Sequence, residues 1–297
     1  MMDINKCSLY ASHAWYVPGV KAMFTLFGWF LVGTLLCGIG QAILDRFTPQ
    51  NVQQYEVLLF DPLTFLPAFI YVSRKSCRNR QTETGYKPNS NHFCPFKGWQ
   101  LAFITVLLSL AYRMASDPIV EWYFKCTMLV PGMQSLFNFL VEVMEKVTIG
   151  PLWVVFITTS IYAAIFEEWL CRGILLRGLL AKMNPVWAIV ISALFFSFIH
   201  MNPWQGLNTF LLGLLLGYVY YKTGSLWLTM LLHFVNNGTA IVLTMIPSLQ
   251  SSESIKDIMS LTTYVVTVVV SIVILLVCIQ AFRRIPLEQK RGNIDEV

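Results

Sequence analysis

Apolar runs set the plan of the chain. They fall at 20–44, 55–73, 98–114, 151–181, 185–201, 206–222, 225–247 and 261–282. Most reach or approach the ~20 residues that cross the hydrocarbon core of a bilayer. A segment surrounded by lipid must satisfy its own backbone, so each run is expected to be a helix and not an open strand. The pattern therefore predicts an all-α fold: a polytopic membrane bundle of about eight transmembrane helices. The third run is short and ends in Arg113.

The polar stretches between the runs give the bundle an orientation. The loop 74–97 carries Arg74, Lys75, Arg78, Arg80, Lys87 and Lys97 against Glu83, and a Lys/Arg excess marks the cytoplasmic side. Counting from that loop puts Lys182, Lys222 and the tail with Arg283, Arg284, Lys290 and Arg291 on the same side. Both termini are then cytoplasmic. The segment 115–149 falls outside, with Asp117, Glu121, Glu142 and Glu145 against Lys125 and Lys146. Its second half, MLVPGMQSLFNFLVEVMEKV, reads either as an amphipathic helix lying on the outer interface or as a soluble helical hairpin. Three regions follow: 1–149 as an N-terminal transmembrane part, 150–247 as a core, and 248–297 as a last helix with a basic tail.

Composition agrees with a membrane setting. Of 297 residues, 56% are hydrophobic and 12% charged, against about 25% charged in an average soluble domain. The first twenty residues show no basic start, apolar h-region or small-residue cleavage site, so no signal peptide is expected. The net charge of +5 is explained by topology, and no nucleic-acid partner is expected. Seven scattered cysteines, three of them in apolar runs (Cys37, Cys171 and Cys278), argue against a disulfide framework. Cys77, His92 and Cys94 in the basic loop lack paired metal-ligand spacing, and a solvated loop is the default. Gly213 and Gly217 stand four apart, the spacing of close helix packing.

Charge inside a membrane-length apolar run is costly and marks a functional site by default. The stretch FEEWLCR, Phe166–Arg172, places two carboxylates and a guanidinium in such a run. Glu168 and Arg172 are four apart and share a helical face, so they pair. Glu167 points elsewhere and has no local counter-charge, which makes it a candidate general base. His200 closes the fifth run, with Phe196 one turn before it on the same face. Glu167 lies about as far before the turn near 183–184 as His200 lies after it, so the two are expected at similar depth. His233 and Asn237 share a face of the seventh run; converging donors there can hold an oxyanion. Asn236 competes with Asn237 for that role, and interhelical hydrogen bonding is the plainer use of such groups.

Glu167-Glu168-x3-Arg172, Phe196-x3-His200 and His233-x3-Asn237, in that order, resemble the three motifs of the CPBP family of CAAX prenyl proteases and bacteriocin-processing or immunity proteins, also called Abi. The resemblance covers about 150–240. It implies an eight-helix bundle around a catalytic cavity. In it Glu167 with His200 activates water, His233 and Asn237 stabilise the oxyanion, and Glu168 and Arg172 support the site. It leaves open a zinc ion on Glu167, His200 and His233. Activation by Glu and His requires no ion, and a metal-free site is the expectation.

The expected function is an intramembrane endopeptidase acting on a membrane-associated peptide or protein, as a multi-pass protein of a bacterial cell membrane. The alternative is a non-catalytic scaffold or immunity protein of the same fold. A proton-coupled transporter would use buried Glu and His too, but no internal repeat is visible.

Overall fold

The computed structural model describes residue 13, residues 16–81, 99–147, 150–245, residue 256 and residues 259–285, with the side chains of 80–81 and 143–147 also outside the description. The described residues form helices and turns, with no β-sheet among them. In chain order the principal helices are α1 (Val20–Leu44), α2 (Val57–Leu63), α3 (Leu66–Gln81), α4 (Trp99–Met128), α5 (Met133–Val147), α6 (Leu152–Leu180), α7 (Pro185–Ile199), α8 (Pro203–Thr223), α9 (Leu226–Thr244) and α10 (Leu261–Arg283). The polytopic helical bundle expected from the apolar pattern is what the chain forms.

Among the described residues, six stretches are long and apolar enough to cross a membrane: α1, α2 with α3, α4, α6, α9 and α10. The other two runs counted from the sequence became α7 and α8. With 15 residues, α7 is only about 22 Å long, short of the ~30 Å core. It packs chiefly on α8 and also on α6 and α1, and leaves Val186, Trp187, Leu194 and Phe198 exposed on its outer face. The Cys77–His92–Cys94 loop lies mostly outside the described residues; Cys37, Cys126, Cys171 and Cys278 are free thiols.

Local sequence sets the helix ends in the core. Asn184 and Asn202 each cap a helix whose first residue is proline, accepting from Val186 N–H and from Trp204 and Gln205 N–H respectively. Ser225 caps α9, and Gly224, at φ 63°, ends α8 in the left-handed region. At the end of α7 that region is taken by a non-glycine residue, Met201 at φ 48°, directly after His200. The chain accepts a conformation costing roughly 1–2 kcal/mol to turn sharply there.

Two expectations change. The third run does not stop at Arg113. Helix α4 continues to Met128, 30 residues or about 45 Å, with Pro118 inside it. The polar residues that suggested an end are used sideways: Tyr264 of α10 donates to Asp117 at 2.8 Å, and α10 packs along α4. Likewise the start of the basic loop is helical, because α3 runs to Gln81. After a turn with Gly132 at φ 83°, α5 folds back as a separate amphipathic helix. Its half-buried stripe is Met133, Leu136, Phe137 and Leu140, and Phe137 packs edge-on against Trp204 (5.1 Å between centroids) and Phe124 (5.5 Å).

The two glycines of α8 do what their spacing predicts. A Cβ on Gly213 would stand 2.9 Å from Ala193 Cα, and one on Gly217 2.9 Å from Ile189 Cγ2, so α7 and α8 touch through backbone. Replacing Gly213 by Ala is expected to cost about 1–3 kcal/mol, because backbone and not a flexible side chain lies in the way. Gly28→Ala, where nothing lies within 4 Å, is the control and should be neutral or better. Thermal unfolding of the purified protein in detergent reads both.

Candidate active site

Depth is set first. Antiparallel helices α6 and α7 leave the turn at 181–184 together. Glu167 lies roughly 20 Å before it and His200 roughly 22 Å after it, at 1.5 Å per residue. Helix α9 starts beside the middle of α6, since Leu226 Cδ2 would lie 3.4 Å from a Cβ on Gly173. Two turns further on, His233 comes level with Glu168. Three helices thus deliver their polar residues to one layer of the bundle.

Glu168 is the centre of that layer. It is wholly buried, as is Arg172, whose Nη1 donates to Glu168 Oε1 at 2.6 Å. His233 Nδ1 stands 3.1 Å from the same oxygen. A carboxylate paired with a guanidinium only accepts, so Nδ1 carries the hydrogen and donates it. Arg172 Nη2 donates to the Gly213 carbonyl at 3.2 Å, and the guanidinium lies 4.5 Å over the Phe196 ring. Phe196 also meets His200 and His233 edge-on at 4.9 and 5.5 Å. The expected pairing of Glu168 with Arg172 and of Phe196 with His200 is present; the bond from His233 to Glu168 joins α9 to both.

Glu167 faces the two imidazoles. Its Oε2 is buried without a hydrogen-bond partner, 3.8 Å from His200 Nε2 and 3.9 Å from His233 Nε2. His200 Nδ1 donates to the Phe196 carbonyl at 2.7 Å, the only role open to it beside an acceptor. Both rings therefore have Nδ1 as the donor; the His200 Nε2 lone pair is left toward Glu167 Oε2, while that of His233 accepts from Asn237. These separations are too long for a direct hydrogen bond and suit one bridging water.

Asn237 is anchored to the backbone of α6. Its Nδ2 donates to the Thr159 carbonyl at 2.8 Å, which orients the amide, and approaches His233 Nε2 at 3.1 Å. Its Oδ1 accepts from Asn236 Nδ2 at 3.0 Å. Both Asn237 donor hydrogens are thus engaged within the protein, and Asn237, not Asn236, touches the imidazole. All seven residues named from the sequence, Glu167, Glu168, Arg172, Phe196, His200, His233 and Asn237, lie in this one cluster.

The helix carrying the double Glu is not a regular α-helix. Residues Ile157–Tyr162 and Trp169–Leu176 are π-helical, on either side of Ala163–Glu168. Such widened turns recur at functional sites. Here they bring the Thr159 carbonyl under Asn237, a contact with no sequence signal. Sequence reasoning also passed over His13. That residue lies 4.8 Å from the Phe69 ring, 2.8 Å from Ser73 Oγ, and accepts from Trp169 Nε1 at 3.4 Å. Arg177 donates to the carbonyls of His13 and Tyr16, so the segment before α1 is strapped to the end of α6.

A zinc site on Glu167, His200 and His233 needs three free lone pairs around one point. His233 Nε2 is already approached by an Asn237 donor. No group of three His, Cys, Asp or Glu among the described residues is placed to hold a metal ion. The residues as arranged do not fit the ion.

Fold and site together define a polytopic helical membrane protein with a buried Glu–His–His–Asn cluster. Residues 149–239, which contain the whole cluster, match the family model described as Rce1-like, type II CAAX prenyl endopeptidase Rce1-like. This match supports the CPBP resemblance and a CAAX-type intramembrane protease kind of function. No curated protein and no solved structure matches the chain.

Removing the Glu168 carboxylate would leave Arg172 uncompensated in a dry interior, a loss of about 3–5 kcal/mol for a broken buried pair. Glu168→Ala is expected to lower the thermal midpoint in detergent and the folded yield, while Glu168→Gln, which keeps an acceptor for His233 and Arg172, should lose less. Unchanged midpoints would contradict the supporting role.

Proposed function

We propose that this protein is an intramembrane endopeptidase that hydrolyses a peptide bond of a membrane-associated peptide or protein. The observation that carries this reading is Glu167 Oε2, a buried carboxylate oxygen without a hydrogen-bond partner, within 4 Å of the Nε2 atoms of His200 and His233. A bound water can give one hydrogen to Glu167 and the other to His200 Nε2. Glu167 takes the proton as the water oxygen attacks the substrate carbonyl carbon. The C–N bond then breaks, and the proton on Glu167 passes to the leaving amine.

The oxyanion falls to His233 and Asn237. Asn237, oriented by its bond to the Thr159 carbonyl, would direct its other amide hydrogen, beside His233 Nε2, at the developing charge. His233, with Nδ1 held by Glu168, donates from Nε2 only when that nitrogen is protonated. Glu168 and Arg172 then act through orientation alone. No step is routed through a metal. The basic ends of α3, α8 and α10 are placed in the cytoplasm by the positive-inside rule.

The test is a comparison of new protein N-termini in cells holding the wild-type protein or Glu167→Ala. The variant is expected to fold as the wild type and to lose cleavage by about 10²–10⁴-fold, the usual contribution of a positioned general base. Cleavage at the normal rate by a folded Glu167→Ala protein would leave the scaffold reading. In a purified assay with the substrate so found, a metal chelator is expected to leave the rate unchanged.

A further inference from the structure

A concave surface lies away from the Glu–His cluster. It is a groove of about 760 Å³ between α4, α8 and α10, on the side of α8 opposite the glycines that touch α7. Its walls are two parallel stripes. On α8 they are Leu211, Leu214 and Tyr218, and on α10 Ile272, Leu275 and Ile279. Each stripe ends in a cation eleven residues from its start, Lys222 on α8 (from 211) and Arg283 on α10 (from 272). Both helices run the same way through the bundle, so the two cations stand at the same end of the groove.

The dimensions and charges point to one kind of occupant. Eleven residues of helix rise about 16 Å, close to half of the ~30 Å hydrocarbon core, the depth of one leaflet. An apolar channel one leaflet deep with two positive charges at its mouth is complementary to a lipid with an anionic headgroup. No carboxylate among the described residues pairs with Lys222 or Arg283. Soluble acids would be held by the cations but have no use for the groove, and neutral lipids would fill the groove but leave the cations unanswered.

We propose that this groove binds one anionic phospholipid from the leaflet at its basic end, an acyl chain lying between α8 and α10 and the phosphate between Lys222 and Arg283. The lipid would close the gap that α8 and α10 leave over α4 and so brace α8, whose other face carries the Arg172 contact at Gly213.

The test titrates phosphatidylglycerol or phosphatidylcholine into the full-length protein in detergent and counts bound lipid by native mass spectrometry. The wild type is expected to hold one phosphatidylglycerol at least roughly tenfold more tightly than phosphatidylcholine. Lys222→Gln with Arg283→Gln should remove that preference. Leu214→Trp, which fills the groove and leaves both cations, should lower phosphatidylglycerol binding to a similar extent, and a loss in either folded variant supports the site. Arg74→Gln with Lys75→Gln, basic residues outside the groove, should change nothing. Equal binding of the two lipids by the wild type would overturn the proposal. So would equal loss in the Arg74/Lys75 variant, displacement by millimolar inorganic phosphate, or one-for-one displacement by a farnesylated peptide.

Discussion

A full charge placed where neither water nor lipid headgroups reach must be answered by the protein itself, and Glu168 is where this bundle meets that demand. Its oxygen Oε1 takes a guanidinium hydrogen from its own helix and an imidazole hydrogen from α9. Arg172 in turn reaches the Gly213 carbonyl of α8 and lies on the Phe196 ring of α7. Four helices are therefore tied at one level by a single ion pair and its contacts. The close approach of α7 and α8 through Gly213 and Gly217 is part of the same arrangement, since a bulkier residue would push the Gly213 carbonyl away from Arg172. A buried ion pair is weak evidence for stability, because desolvation offsets much of its attraction. Its value here lies in orientation.

That orientation gives the neighbouring acid its chemistry. With Arg172 held by Glu168, Glu167 keeps no cationic partner, and its Oε2 looks at His200 and His233. Each imidazole has its far nitrogen bound, one to a carboxylate and one to a backbone carbonyl, so each presents the same nitrogen to the same oxygen. Adjacent residues of one helix thus divide into an acid paired with the arginine and one that is not, and the division follows from which of them the arginine can reach.

Around this layer the bundle becomes more permissive. Helix α7 is too short to reach across the bilayer and ends at His200, just before left-handed Met201, so the chain turns at the depth of the site and not at the surface. Polar residues further out serve lateral contacts: Asp117 with Tyr264 between α4 and α10, and Arg177 with the carbonyls before α1. Lipid-facing surfaces of α1 and α10 expose long aliphatic and aromatic side chains, as a helix bathed in hydrocarbon can. The family match ends at residue 239, before α10, so the groove of α4, α8 and α10 is built partly from helices outside it.

Much of the fold and part of the site were legible without coordinates, for a definable reason. Apolar length announces a membrane helix, and residues four apart on one helix share a face, so the bundle, the Glu168–Arg172 pair, the Phe196–His200 contact and the packing glycines follow from distance along a single chain segment. The equal depth of Glu167 and His200 followed in the same way from counting out of a shared turn. What the sequence could not carry was anything set by the rotation and tilt of one helix against another. The bond from His233 to Glu168, the Thr159 carbonyl that holds Asn237, the place of His13 and the course of α4 beyond Arg113 are of this kind. Each joins residues far apart in the chain through hydrogen bonds that depend on a few degrees of helix rotation, or on π-helical turns that leave no periodic mark. The residue types at the site and the pairing of Glu168 with Arg172 are therefore a property of the sequence, and the joining of helices α6, α7 and α9 around them is a property of the packed bundle.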